Sequence, residues 1–133
     1  MKRGLLLILA LSVLIALASC GNENSSEPVA KDRVFLTLDS NPTTGCTWMI
    51  TLDDSGVAEY IGSTYVQNKV DGPGDVAVAG AGGKETFEFK CLKEGTAIVN
   101  LKYGHAWAPE EIYEEHNARI TVTGNLTGTI ELF

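Results

Sequence analysis

Thr86-Phe87-Glu88-Phe89-Lys90-Cys91 alternates without a break: Phe87, Phe89 and Cys91 fall on one face of an extended chain, Glu88 and Lys90 on the other. Period two marks a half-buried strand, because successive side chains of an extended backbone point to opposite faces. Working outward, further short apolar runs read as strands at 34–38, 46–52, 60–66, 96–103 and 118–122, and the central run extends back to residue 84. Glycine, proline, aspartate and asparagine punctuate the gaps, and no stretch carries a convincing amphipathic helix. Short strands with turn signals at this spacing predict an all-β fold, an immunoglobulin-like antiparallel β-sandwich. Trp48 is the expected centre of its core, with an indole N–H that needs an acceptor once buried.

Composition limits the function. The 133 residues are 44% hydrophobic, 20% charged and 8% aromatic, enough for one folded domain. The formal net charge is −7, and two of the ten basic residues, Lys2 and Arg3, sit at the extreme N-terminus. The remainder carries no basic stripe, which disfavours nucleic acid, polyphosphate and anionic membrane as partners.

Residues 1–19 read as an exported lipoprotein's signal peptide. A basic head at Lys2-Arg3 precedes an apolar run over 5–18 that is short for a membrane span, and Leu17-Ala18-Ser19-Cys20 resembles a prokaryotic lipobox. Cys20 is then the lipidated first residue of the mature chain, tethered to a cell-envelope membrane on its periplasmic or cell-surface side. Residues 20–32, polar and without apolar periodicity, read as a flexible spacer ahead of a domain over 33–133.

Three connections carry the functional signal. Asn41-Pro42-Thr43-Thr44-Gly45 joins the first two strands: proline fixes one backbone angle, glycine permits a positive one, and two small polar residues lie between. Gly80-Ala81-Gly82-Gly83 precedes the central strand and leaves bare backbone able to approach another surface. It is no phosphate cradle, because a strand follows it and no lysine-serine or lysine-threonine pair does. Tyr103-Gly104-His105-Ala106-Trp107 ends the fifth strand and sets a large aromatic beyond it, as contact surfaces do. Two strands separate each of these loops from the next, and antiparallel connections alternate between the ends of a sandwich, so all three are expected at one end.

Taken together the loops resemble the chagasin-like inhibitors of papain-type cysteine peptidases. That family carries an Asn-Pro-Thr-Thr-Gly loop, a Gly-X-Gly-Gly loop and an Arg-Pro-Trp loop, in that order, on an immunoglobulin-like sandwich. Asn41 to Gly45 match the first at every position, and Trp48 matches the aromatic that follows it. Gly80, Gly82 and Gly83 match the second, with Ala81 at the free position; of the third only Trp107 remains, His105 and Ala106 standing where the family has arginine and proline. The resemblance implies a wedge that blocks a peptidase cleft. Thr43 and Thr44 enter beside the nucleophilic cysteine and histidine, Gly80 to Gly83 and Trp107 grip the walls, and His105 partly replaces the arginine's charge only at mildly acidic pH. The partner implied is a papain-type peptidase, met by an inhibitor that is a monomer when unbound, needs no cofactor or metal and is not an enzyme. An immunoglobulin-like module for another extracellular protein ligand is the rival class, and the fold alone does not separate the two.

Three further expectations follow from the residues. Only Val29-Ala30-Lys31-Asp32 precedes the first strand, too little for the extra strand the family has there, so the tail at 129–133 is expected to pair with 118–122 and cover the open edge. Cys46 and Cys91 fall roughly 20 Å apart along the sheet, which favours free thiols over a bridge. Glu110-Glu111-Ile112-Tyr113-Glu114-Glu115-His116 reads as a solvated face on a polar loop rather than a metal site.

Overall fold

The computed structural model describes residues 30–69 and 80–133; the expected signal peptide, Cys20 and most of the spacer lie outside them. Among the described residues seven strands follow one another: β1 (Arg33–Ser40), β2 (Cys46–Leu52), β3 (Ala58–Gln67), β4 (Gly83–Cys91), β5 (Gly95–His105), β6 (Ile112–Val122) and β7 (Gly128–Leu132). They form two antiparallel sheets, β1-β4-β3 and β2-β5-β6-β7, packed face to face. This is the immunoglobulin-like sandwich that the strand spacing predicts.

The alternating stretch that decides the fold is the middle strand of the smaller sheet. Phe87, Phe89 and Cys91 are almost wholly buried, while Glu88 and Lys90 lie on the outer face. Ala97, Val99 and Leu101 of β5 and Ala118, Ile120 and Val122 of β6 meet them from the other sheet. Each phenylalanine contributes about 2–3 kcal/mol by leaving water. Trp48 closes the core toward one end. Its ring meets Phe87 edge-on with centroids 6.3 Å apart, Tyr103 at 5.0 Å and His116 at 5.7 Å. Its Nε1–H donates to the Asp39 carbonyl at 3.0 Å, which supplies the acceptor the buried indole requires.

The tail does cover the edge. β7 pairs with β6 from Ala118↔Leu132 to Val122↔Gly128. Gly128 also seats the tail against the opposite sheet, for a Cβ there would lie 2.5 Å from Cys91 Sγ and 2.7 Å from Val34 Cγ1. Ahead of β1 the described residues make only a turn, with Arg33 N–H donating to the Ala30 carbonyl at 3.1 Å. Cys46 and Cys91 are both free and buried. Burial, and secondarily the Asp32 carboxylate, push the Cys91 thiol above its ordinary pKa.

One expectation fails. The acidic stretch is not a polar loop: β6 begins at Ile112, six residues before the predicted strand, and pairs with the upper part of β5 through Leu101↔His116, Lys102↔Glu115 and Tyr103↔Glu114. His116 packs against Trp48 there while Tyr113, Glu114 and Glu115 are exposed, so polar residues occupy both faces and no period-two apolar pattern marks the stretch. A bulge between Tyr103 and Gly104 shifts the register there. In β3 a second bulge, between Tyr60 and Gly62, likewise blurs the alternation of an edge strand.

Candidate functional site

The β1–β2, β3–β4 and β5–β6 connections leave the sandwich at the same end, where the alternation of antiparallel turns puts them. More than proximity joins them. Asn41 follows the last residue of β1, and its backbone N–H donates to Tyr103 Oη at 2.8 Å, tying the first loop to β5. Its side-chain Nδ2 donates to the Gly80 carbonyl at 3.1 Å, tying the first loop to the second. The third loop reaches the first through Trp107, whose ring lies where a Cβ on Gly45 would be, 2.6 Å from Cη2.

The first loop is a closed turn. Pro42–Thr44 forms a single 3-10 turn with proline at its start and Gly45 at its end, φ 80°. Thr44 N–H donates to the Asn41 carbonyl at 3.1 Å and Gly45 N–H to the Pro42 carbonyl at 3.0 Å. The hydroxyls fold back as well, Thr44 Oγ1 onto the Asn41 carbonyl at 2.7 Å and Thr43 Oγ1 onto Asn41 Oδ1 at 2.5 Å. Pro42, Thr43 and Thr44 stand exposed at the crest, yet both threonine hydroxyls and the Thr44 N–H are occupied within the turn. The tip is ordered before it meets anything, which removes part of the entropy cost of binding.

The second loop lies flat beside it. Tyr65 Oη and Gln67 Nε2 both approach the Ala81 carbonyl at 3.4 Å, and Asn68 N–H donates to the Gly82 carbonyl at 3.0 Å. Gly83 sits against the Val66 carbonyl and the Tyr65 ring, where no side chain fits. A shallow cleft bounded by Asn41, Asn68, Gly82, Tyr103 and Glu114 opens between this loop and β6.

Trp107 is 72% exposed, the most open large apolar side chain among the described residues. Its ring stacks on His105 with centroids 4.5 Å apart and planes at 22°. The His105 side chain is only 21% exposed, with Nδ1 3.2 Å from Tyr113 Oη and 3.6 Å from Glu111 Oε2. Local desolvation first, and the neighbouring Glu111 carboxylate next, hold the Tyr113 hydroxyl above the ordinary phenol range, so it stays neutral. Among the described residues no group of three His, Cys, Asp or Glu side chains is disposed to hold a metal.

The structure therefore brings Asn41, Pro42, Thr43, Thr44, Gly45, Gly80, Ala81, Gly82, Gly83, His105 and Trp107 to one edge. Tyr103, Tyr65, Gln67 and Tyr113, which brace that edge, were not foreseen. Tyr103 stands two residues from Leu101 along β5 and so shares its face, which is the signal in the sequence that points its ring toward the first loop.

The β-sandwich thus presents one edge to which all three motifs contribute. Residues 29–122 match the profile of the "Chagasin family peptidase inhibitor I42", and the chain belongs to that family of inhibitors, which are not enzymes. It is 38% identical over 76 residues to chagasin of Trypanosoma cruzi, an alignment covering 56% of this chain and 66% of chagasin. The fold is also that of a cysteine protease inhibitor of Entamoeba histolytica seen by crystallography, with a TM-score of 0.54 at 21% identity over 68% of this chain and 78% of the other.

Proposed function

We propose that this protein inhibits papain-type cysteine peptidases by lodging the Asn41–Gly45 turn in the active-site cleft, flanked by Gly80 to Gly83 and Trp107, and that it does so as an exported lipoprotein anchored through Cys20. The observation that carries the reading is the joining of three separated motifs into one edge by Asn41 Nδ2 on the Gly80 carbonyl and Trp107 on Gly45. Peptidases of this class cleave peptides laid out as extended strands. The Pro42–Thr44 turn spends the Thr44 and Gly45 N–H groups internally and cannot be laid out that way, so it fills the cleft without offering a bond for attack. Thr43 and Thr44 form the crest, and Trp107 supplies the large exposed apolar area that anchors such interfaces.

The strand polarity supports the tether. β1 runs from Arg33 toward the loops over eight residues, so an anchor upstream of Arg33 joins the sandwich about 25 Å from the binding edge, at the opposite end. The point of attachment then leaves the loop edge unobstructed.

Titration of papain activity with the protein and with its Thr43→Ala/Thr44→Ala variant tests the inhibition. The parent should inhibit, and the variant should lose at least about tenfold in affinity with a melting temperature lowered by about 5 °C at most. A parent that leaves papain active, or a variant that matches it, refutes the reading. Metabolic labelling with a clickable fatty acid tests the anchor: Cys20→Ala should abolish both label and membrane recovery, and a labelled Cys20→Ala chain refutes it.

A further inference from the structure

We propose that His105 and Tyr113 form an aromatic clamp that holds Trp107 in its binding position, His105 acting as a positioning residue behind the contact surface. The proposal rests on the peptidase-binding reading of the edge and names the device that sets the third loop's geometry. An exposed tryptophan on a six-residue connection would ordinarily sample several rotamers and lose that freedom on binding, at a cost that weakens affinity up to about tenfold. Here its ring has support on two sides. His105 lies against one face of the indole at 4.5 Å and 22°. Gly45, lacking a side chain, receives the ring's outer edge.

His105 is itself immobilised. It is the last residue of β5 and pairs with Cys46 of β2, so its backbone belongs to the sheet and not to the loop. Tyr113 of β6 meets its ring edge-on, with centroids 5.5 Å apart at 87°, and shares the 3.2 Å hydrogen bond with Nδ1. Glu111 Oε2 completes the triangle, 3.5 Å from Tyr113 Oη and 3.6 Å from His105 Nδ1. With the ring thus engaged and largely covered, His105 is occupied inside the protein. A proline at position 106 would stiffen this loop through its backbone; with Ala106 in that place, the stiffness comes from stacked rings.

The test uses the parent, His105→Ala, His105→Phe and Tyr113→Ala. In the free proteins, the heteronuclear NOE of the Trp107 indole N–H is compared with that of Trp48, whose buried indole is bonded to the Asp39 carbonyl and serves as a rigid reference. Inhibition constants against papain are measured alongside. The Trp107 value should approach that of Trp48 in the parent, fall in His105→Ala and Tyr113→Ala, and recover in His105→Phe, which keeps the ring. The inhibition constant should rise about tenfold in His105→Ala and return to within about threefold of the parent in His105→Phe. A Trp107 indole already mobile in the parent, readouts unchanged in His105→Ala or Tyr113→Ala, or a His105→Phe variant as weak and as mobile as His105→Ala each overturns the clamp. If the parent fails to inhibit papain, the proposed function falls, and the clamp stands or falls on the NOE series alone.

Discussion

Gly45→Ala separates two demands that the first loop makes on one position. Gly45 has φ 80°, a conformation that costs an L-residue about 1–2 kcal/mol. For a domain of this size that loss lowers the melting temperature by about 5–10 °C. The second demand is steric. The added Cβ would lie 2.6 Å from Trp107 Cη2, well inside the separation of about 3.5–4.0 Å at which carbon atoms rest. Trp107 can relieve the clash only by leaving its stack on His105, which removes the indole from the edge and forfeits a surface ring contact of about 0.5–1 kcal/mol as well. Displacing a tryptophan anchor costs about 2 kcal/mol of binding or more, which is about 30-fold in the inhibition constant. The assay is a double-mutant cycle of parent, Gly45→Ala, Trp107→Ala and the double variant, each followed by thermal unfolding and by titration against papain. Gly45→Ala should lower the melting temperature in both backgrounds, by up to about 5 °C more where Trp107 is present, whereas most of its effect on inhibition should vanish once Trp107 is gone. An equal loss of inhibition in the Trp107→Ala background would show that Gly45 acts independently of Trp107 and would refute the coupling of the two loops.

Three other expectations are open to direct measurement. Deleting residues 125–133 removes β7, strips Ile130 from the core margin and bares the β6 edge; it should cost at least about 2 kcal/mol in urea unfolding and promote aggregation, and an unchanged midpoint would contradict the edge-covering role. Asp53 accepts hydrogen bonds from Ser55 Oγ at 2.6 Å and from Ile98 N–H at 2.9 Å, and these, the Ser55 hydroxyl foremost, hold its carboxyl below the usual range. The stability it supplies is complete above the unfolded value near about pH 4 and is lost as pH falls through the lower folded value. Asp53→Asn should therefore flatten the decline of melting temperature below that pH, and a parallel curve would contradict it. Cys46 and Cys91 are buried and the Cys91 thiol is raised by burial, so iodoacetamide at pH 8 should label neither in the folded protein and both in urea; fast labelling of Cys91 in the fold would count against its packing under Gly128.

The amino-acid order by itself determined the strands that bury one face and the turns between them. Phe87, Phe89 and Cys91 declare their strand because the two sides of β4 meet different solvents, and the strand count fixes which connections share an end, since each antiparallel strand reverses the chain. The Asn-Pro-Thr-Thr-Gly stretch likewise declares its turn through proline and glycine, whose backbone restrictions are local. Only the tertiary structure decided the rest. The first half of β6 was invisible because Tyr113, Glu114 and Glu115 are exposed with polar residues on both faces, where alternation has nothing to report. The bracing of the loops was invisible for a related reason. Asn41 reaches Tyr103 and Gly80, and Trp107 rests on Gly45, across 39 to 62 residues of chain. Periodicity records what a residue's neighbours along the backbone require; contacts of that range exist only after two sheets have packed and brought their turns to the same end.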